Sequence, residues 1–165
     1  MRIELIRAQP QHRALVRRLY ELYCHDFSPM TQTPIGDDGW WTGDDFLQVW
    51  PDDELQIFLV RLDNCWAGFA WVARGSYVDP FIDDHYLMDE FFIMRQYRRQ
   101  GLGEQIAVRL FNKFSGIWEV GEIPQNVEAQ AFWRMIIGRY TDHHFDERHV
   151  DNERWHGPVQ IFSSL

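Results

Sequence analysis

Arg95, Arg98 and Arg99 fall within five residues, and Gly101 and Gly103 follow directly. Glycine lets a backbone approach a ligand with no Cβ in the way. Behind the glycines, Ile106, Leu110 and Phe114 sit four apart, with Ala107 and Phe111 on the same side, which is the stripe of a buried helix face. The first N–H groups of such a helix lack internal partners, and the macrodipole favours negative charge there. Neighbouring guanidinium groups add donors suited to phosphate oxygens. The stretch reads as a cradle for phosphate or pyrophosphate. The bland alternative is that the glycines only make a turn and the arginines are solvated.

A second chemical feature lies just upstream. Tyr86–Met94 is dominated by aromatic and large apolar residues and broken only by Asp89 and Glu90. The run is short and has no 3.6-residue stripe, so it reads as a central, mostly buried strand. Carboxylates in such a strand are costly unless paired or functional. One reading makes them proton acceptors; the other makes each a structural ion pair with one of the chain's arginines. As strand neighbours they are expected on opposite faces.

The elements that must position these groups follow from the pattern around them. Ile3–Arg7 alternates as a first strand. A helix is expected over Pro10–Cys24, with Leu15, Leu19 and Leu22 in its stripe beside Val16 and Tyr23. Phe27–Asp53 is irregular, with a short helix at Asp44–Trp50. Its tryptophans, Trp40, Trp41 and Trp50, stand beside Asp37, Asp38, Asp44 and Asp45. They read either as core plugs in an acidic loop, which is the favoured reading, or as a pocket for a cation. Leu55–Arg61 and Trp66–Arg74 read as a hairpin about Leu62–Cys65, and Gly75–Asp84 as a loop. After the central strand and its helix come a strand at Ile117–Ile123 and a helix over Asn126–Ile137 that stops at Gly138. Closing strands are expected at Arg139–Phe145 and Val159–Phe162, with Gly157-Pro158 in the loop between them. Strands and helices in this order imply a mixed α/β sheet flanked by helices, with residues 1–165 as one domain.

Composition excludes several classes. Hydrophobic residues make up 45% and aromatics 16% of the 165 residues, against a disordered chain. Net charge of −9 and a pI near 5.1 disfavour nucleic acid. No apolar run approaches the roughly 20 residues of a membrane span, and the N-terminus lacks an apolar signal core; a cytoplasmic location is expected. Cys24 and Cys65 read as reduced thiols outside the chemistry-bearing motifs. His143, His144, His149 and His156 have no zinc spacing, so no metal is expected.

The cradle is neither a P-loop, lacking Lys-Ser/Thr after its second glycine, nor a dinucleotide G-x-G-x-x-G. Arg98-x-x-Gly101-x-Gly103 resembles the R/Q-x-x-G-x-G/A signature of the GNAT acyltransferase superfamily. So does Asn126-x-x-Ala129-x-x-Phe132-Trp133, similar to that family's N-x-x-A-x-x-F-Y helix start. The two occur in the family's order, and the element order matches over essentially the whole chain. The resemblance implies a mixed, mostly antiparallel sheet splayed at its centre and flanked by helices. It implies acetyl-coenzyme A as co-substrate. The pyrophosphate would lie on Arg98, Arg99, Gln100, Gly101, Leu102, Gly103 and Glu104. The pantetheine arm would pair with the backbone of Phe91, Phe92 and Ile93, beside Asn126, Ala129 and Trp133.

Asp89–Met94 is also similar to the E-D-F-F-V-M strand of spermidine/spermine N-acetyltransferases. This favours an amine acceptor, in particular a small primary amine, without identifying polyamine. Acetyl transfer needs a proton acceptor, a stabilised oxyanion and a proton for the leaving thiolate. The resemblance gives the first role to Glu90, with Asp89 second. It gives the last to a tyrosine at the position where this chain has Trp133, and indole is no useful acid; Tyr140 is a weak substitute. Alternatives are transfer to a protein or peptide amine, a different acyl donor, and an acyl-coenzyme A sensor with little catalysis. Homodimers occur in the family, but no apolar seam for one is legible.

Overall fold

The computed structural model describes residues 2–164. Its strands are β1 (Ile3–Arg7), β2 (Leu55–Leu62), β3 (Cys65–Arg74), β4 (Tyr86–Ile93), β5 (Gly116–Gly121), β6 (Asp146–Asp151) and β7 (His156–Ser164); its helices are α1 (Arg13–Thr31), α2 (Leu102–Lys113) and α3 (Val127–Tyr140). One seven-stranded sheet runs β1-β2-β3-β4-β5-β7-β6. All neighbours are antiparallel except β4 and β5. This is the mixed α/β, mostly antiparallel sheet expected.

Alternation along the strands sends side chains to two faces. One face meets α2 and α3 through Ile106, Leu110, Phe111, Trp133 and Ile137. The other meets α1 through Val16 and Leu19, packed with Leu59, Phe69 and Phe92. Leu22, expected in the α1 stripe, is instead exposed.

Several boundaries differ from expectation. Helix α1 continues past Cys24 to Thr31, through Pro29. Proline cannot donate to the carbonyl four residues back; here the Ser28 hydroxyl donates to that carbonyl, His25 O, at 2.8 Å. Asp44–Trp50 forms turns, not a helix, and Leu47 has φ 50°. Arg139–Phe145 is not a strand. Helix α3 passes through Gly138 to Tyr140, and a turn follows with Asp142 and His143 at φ 51° and 63°. That turn closes when the His143 N–H donates to Gly138 O at 2.7 Å. The last hairpin is therefore later, and Gly157-Pro158 lies within β7 rather than in a loop. Pro158 is tolerated because it lies beyond Val159, the last partner of β5.

Candidate active site

The centre of the sheet is open. Strands β4 and β5 pair only at Tyr86–Trp118 and Leu87–Glu119. Beyond that point β4 keeps its β3 partners up to Ile93, but its other edge has none among the described residues. A cleft of about 510 Å³ opens there and is bordered by Met88, Asp89, Glu90 and Phe91 on one side and by Gly121, Glu122 and Ile123 on the other. A second cleft of about 780 Å³ runs on to the start of α2. Tyr23, Phe27, Phe91, Asn126 and Ala129 border both clefts, so they form one groove.

The two carboxylates do not face opposite ways. Trp71 pairs with Glu90 and Val72 with Met88, so Asp89 is one residue too many for the β3 ladder. Such a bulge breaks the strict alternation. Both Asp89 and Glu90 therefore reach the same cleft. Neither has an ion-pair partner among the described residues, so the structural salt bridge is excluded there. Their company is phenolic. The Tyr20 hydroxyl donates to Glu90 Oε1 at 3.2 Å, with Tyr23 facing the same carboxylate, and Tyr77 faces Asp89. Burial pushes the Glu90 carboxyl up to about 7; the Tyr23 and Tyr20 hydroxyls oppose this, while the Asp89 charge adds to it. Asp89 opens more to the water of the cleft, but the surrounding protein still raises it. The same burial holds the Tyr20 and Tyr23 phenols protonated.

Sequence reasoning gave no role to these tyrosines, since they lie one turn apart on a helix that looks merely amphipathic. It also missed Glu119, only 1% exposed. Its carboxylate accepts from Ser76 Oγ at 2.6 Å and from the Tyr77 N–H at 2.7 Å, and the His85 ring nitrogen lies at 2.8 Å. This carboxylate pins both ends of the 75–85 loop at the last paired rung of β4 and β5, and so fixes Tyr77. Cys24 stands at the cleft after all. Burial pushes its thiol up to about 11, so it stays protonated at neutral pH and is no nucleophile.

The basic turn is partly engaged internally. Asp26 of α1 holds Arg95 at 2.8 Å and also pairs with Arg98. Burial would raise the Asp26 carboxyl, but hydrogen bonds from Arg98 and Arg95 outweigh it and hold the group below its ordinary value. Arg98 Nε also donates to Ile93 O at 2.6 Å, which occupies one of the carbonyls expected to meet pantetheine. Gln100 donates to Gln96 O, and Glu104 pairs with Arg139 of α3 at 3.2 Å. Leu102 is 1% exposed, so only its backbone can reach a ligand. Arg99 alone of the three arginines has no ion pair among the described residues. Gly101 sits at φ +76°, a left-handed conformation that suits glycine. Gly103 is small for another reason: a Cβ there would lie 3.0 Å from the Phe132 ring.

On the α3 side, Asn126 caps the helix by accepting from the Ala129 N–H at 3.1 Å. Replacing Asn126 by Ala is expected to lower the unfolding free energy by about 1 kcal/mol in a urea titration. An unchanged value would mean that the cap carries no weight. Trp133 is 5% exposed and packs edge-on to Phe91 at 5.0 Å. Tyr140 is removed from the cleft; its hydroxyl donates to Asn112 Oδ1 at 2.8 Å and its ring packs on Phe111. No cluster of three or more His, Cys, Asp or Glu able to hold a metal occurs among the described residues.

Comparison with known proteins agrees with this geometry. An acetyltransferase from Thermus thermophilus superposes with a TM-score of 0.72 at 15% identity, over 99% of this chain and 97% of that one. A spermidine N-acetyltransferase from Vibrio cholerae, solved with CoA and spermine, gives 0.66 at 12% identity, over 98% and 95%. The ribosomal-protein-S18-alanine N-acetyltransferase of Escherichia coli gives 0.60 at 12%, over 97% and 91%. No curated protein matches in sequence. At these identities the structures establish a shared fold. The model of the acetyltransferase (GNAT) family matches residues 16–138, which is most of the chain, and the protein therefore belongs to the GNAT acetyltransferase family.

Proposed function

We propose that the protein is an N-acetyltransferase moving an acetyl group from acetyl-coenzyme A to a small primary amine, by direct attack in a ternary complex. One observation carries this reading. Two carboxylates with no internal cation among the described residues stand in the smaller cleft at the β4–β5 gap, next to Phe91, which borders both clefts. A buried, unpaired carboxylate is stabilised by an incoming ammonium and is suited to take its proton.

The cofactor would lie along the larger cleft. Its pyrophosphate would take the N–H groups that open α2 and the Arg99 guanidinium, and its arm would run past Phe91, Asn126 and Ala129. Glu90, near pKa 7, takes the ammonium proton at neutral pH. The freed lone pair attacks the thioester carbon, the C–S bond breaks, and the thiolate leaves. Trp133 cannot protonate it, so we assign that proton to Tyr23, which borders both clefts and keeps its phenolic proton; the second proton of the attacking nitrogen, lost as the amide forms, restores the phenol. Among the described residues no helix is long and apolar enough to cross a membrane. We place the reaction in the cytoplasm, consistent with two free cysteines.

Calorimetric titration with coenzyme A is expected to show one saturable site per chain. Thiol release from acetyl-coenzyme A should then depend on an added primary amine. Saturable binding with no release across a panel of amines would overturn the transferase reading.

A further inference from the structure

Resting on the acetyl-transfer reading, we infer that the acceptor is a monoamine with an apolar body, best an arylalkylamine, and not a polyamine. The acceptor half of the smaller cleft has Asp89 and Glu90 at its floor and is walled by Tyr20, Tyr23, Phe27 and Trp41. No Lys, Arg or His borders it. On the α1 side the other bordering polar groups are the uncharged Cys24, Thr31 and Thr33, besides the tyrosine hydroxyls.

The other nearby acids are held within the protein or kept neutral by burial. Glu21 accepts from the backbone N–H groups of Trp41 and Thr42, at 2.9 and 2.8 Å, and from the Thr42 hydroxyl at 2.6 Å. Asp26 holds Arg95 and Arg98. Glu122 borders the far wall, where its Oε2 receives the Gln160 amide at 3.2 Å and its Oε1 is buried without a partner; burial pushes its carboxyl up to about 8, so it is mostly uncharged at neutral pH. The acids at 37–45 do not border the cleft. Of the tryptophans set among them, only Trp41 does, while Trp40 lies against Arg17 at 4.3 Å.

The charge distribution decides the class. A primary ammonium reaching the floor finds two carboxylates. In a polyamine the next ammonium lies four bonds of about 1.5 Å further on, roughly 5 Å up the cleft. There it would exchange its water for aromatic faces with no carboxylate. A phenyl or indolyl body at the same depth gains ring contacts on several sides and needs no counter-charge. A peptide would carry backbone amides into walls that offer them few partners.

Steady-state turnover of 2-phenylethylamine, hexylamine and spermidine tests this, together with calorimetry of each amine on the protein saturated with coenzyme A. The arylalkylamine should exceed spermidine in kcat/KM by about tenfold or more, with hexylamine between them. Trp41→Ala should erase that advantage and leave coenzyme A affinity within about twofold, since Trp41 does not border the larger cleft. Trp41→Phe should retain the preference, and this variant guards against a loss caused by misfolding. Spermidine equal to or better than the arylalkylamine would overturn the substrate class and leave acetyl transfer standing. No turnover of any amine would overturn both.

Discussion

Replacing Glu90 by Gln is expected to lower kcat by about a hundred- to ten-thousandfold, the range for loss of a general base. Coenzyme A affinity should change by less than about threefold, because Glu90 borders the acceptor cleft and not the larger one. Gln preserves the shape and can still accept from Tyr20, so only the proton acceptor is lost. The pH profile is the sharper readout. With Glu90 near pKa 7, wild-type kcat/KM should fall as pH drops through 7, since the protonated carboxyl cannot act as base. In the variant that limb should vanish. Stability gives an independent sign. The folded-state pKa is raised, so the stability present below the unfolded value is lost as pH rises through about 7. Glu90→Gln escapes that loss, and its Tm should exceed the wild-type value above pH 7. Wild-type turnover in the variant would remove Glu90 from the mechanism.

The second large effect concerns the cofactor side. Gly103→Val should weaken coenzyme A by about ten- to a hundredfold in a calorimetric titration, as overpacking costs about 1–3 kcal/mol. The added Cβ would lie 3.0 Å from the Phe132 ring and 3.7 Å from that of Phe91, and both rings border the larger cleft. The side chain must therefore push an aromatic ring into the space the arm would use. Removing the obstacle should restore binding: Gly103→Val combined with Phe132→Ala is expected to regain most of the lost affinity. A single variant with unchanged affinity, or a double variant that remains weak, would break this account. Far-UV circular dichroism of both variants separates a blocked cleft from a lost fold.

The part of the fold that reads well from sequence is the part where patterning and burial agree. Tyr86–Ile93, the glycine turn and α2 form one run of apolar periodicity punctuated by glycine. The part that reads badly has its reasons outside the local sequence. Strand β6 is Asp-Glu-Arg-His-Val-Asp, with only Val150 buried. It is a sheet edge, where charge protects against stray pairing and hides the strand from a hydrophobic reading. Pro29 looks like a stop and is not, because Ser28 supplies the missing donor. In the site, Asp89 and Glu90 are legible as costly carboxylates. That they share one cleft is not, because the bulge exists only relative to the register of β3. The phosphate reading of the arginines is likewise altered by Asp26, which is about seventy residues away in sequence and adjacent in space.

The provenance of the walls of the groove has one more consequence. The larger cleft is bordered by the end of β4 through the first turns of α3, and also by Tyr23, Asp26, Phe27 and Met30 of α1. The smaller cleft shares that middle block, from Met88 to Trp133, and adds residues of α1 and the loop behind it, with Trp155 of the β6–β7 turn. Helix α1 is therefore common ground, and a change at Tyr23 or Phe27 touches both clefts at once. Thr31, Thr33, Trp41 and Trp155, by contrast, border the smaller cleft and not the larger one. An engineer seeking a new acceptor would vary those four and leave the shared face of α1 untouched.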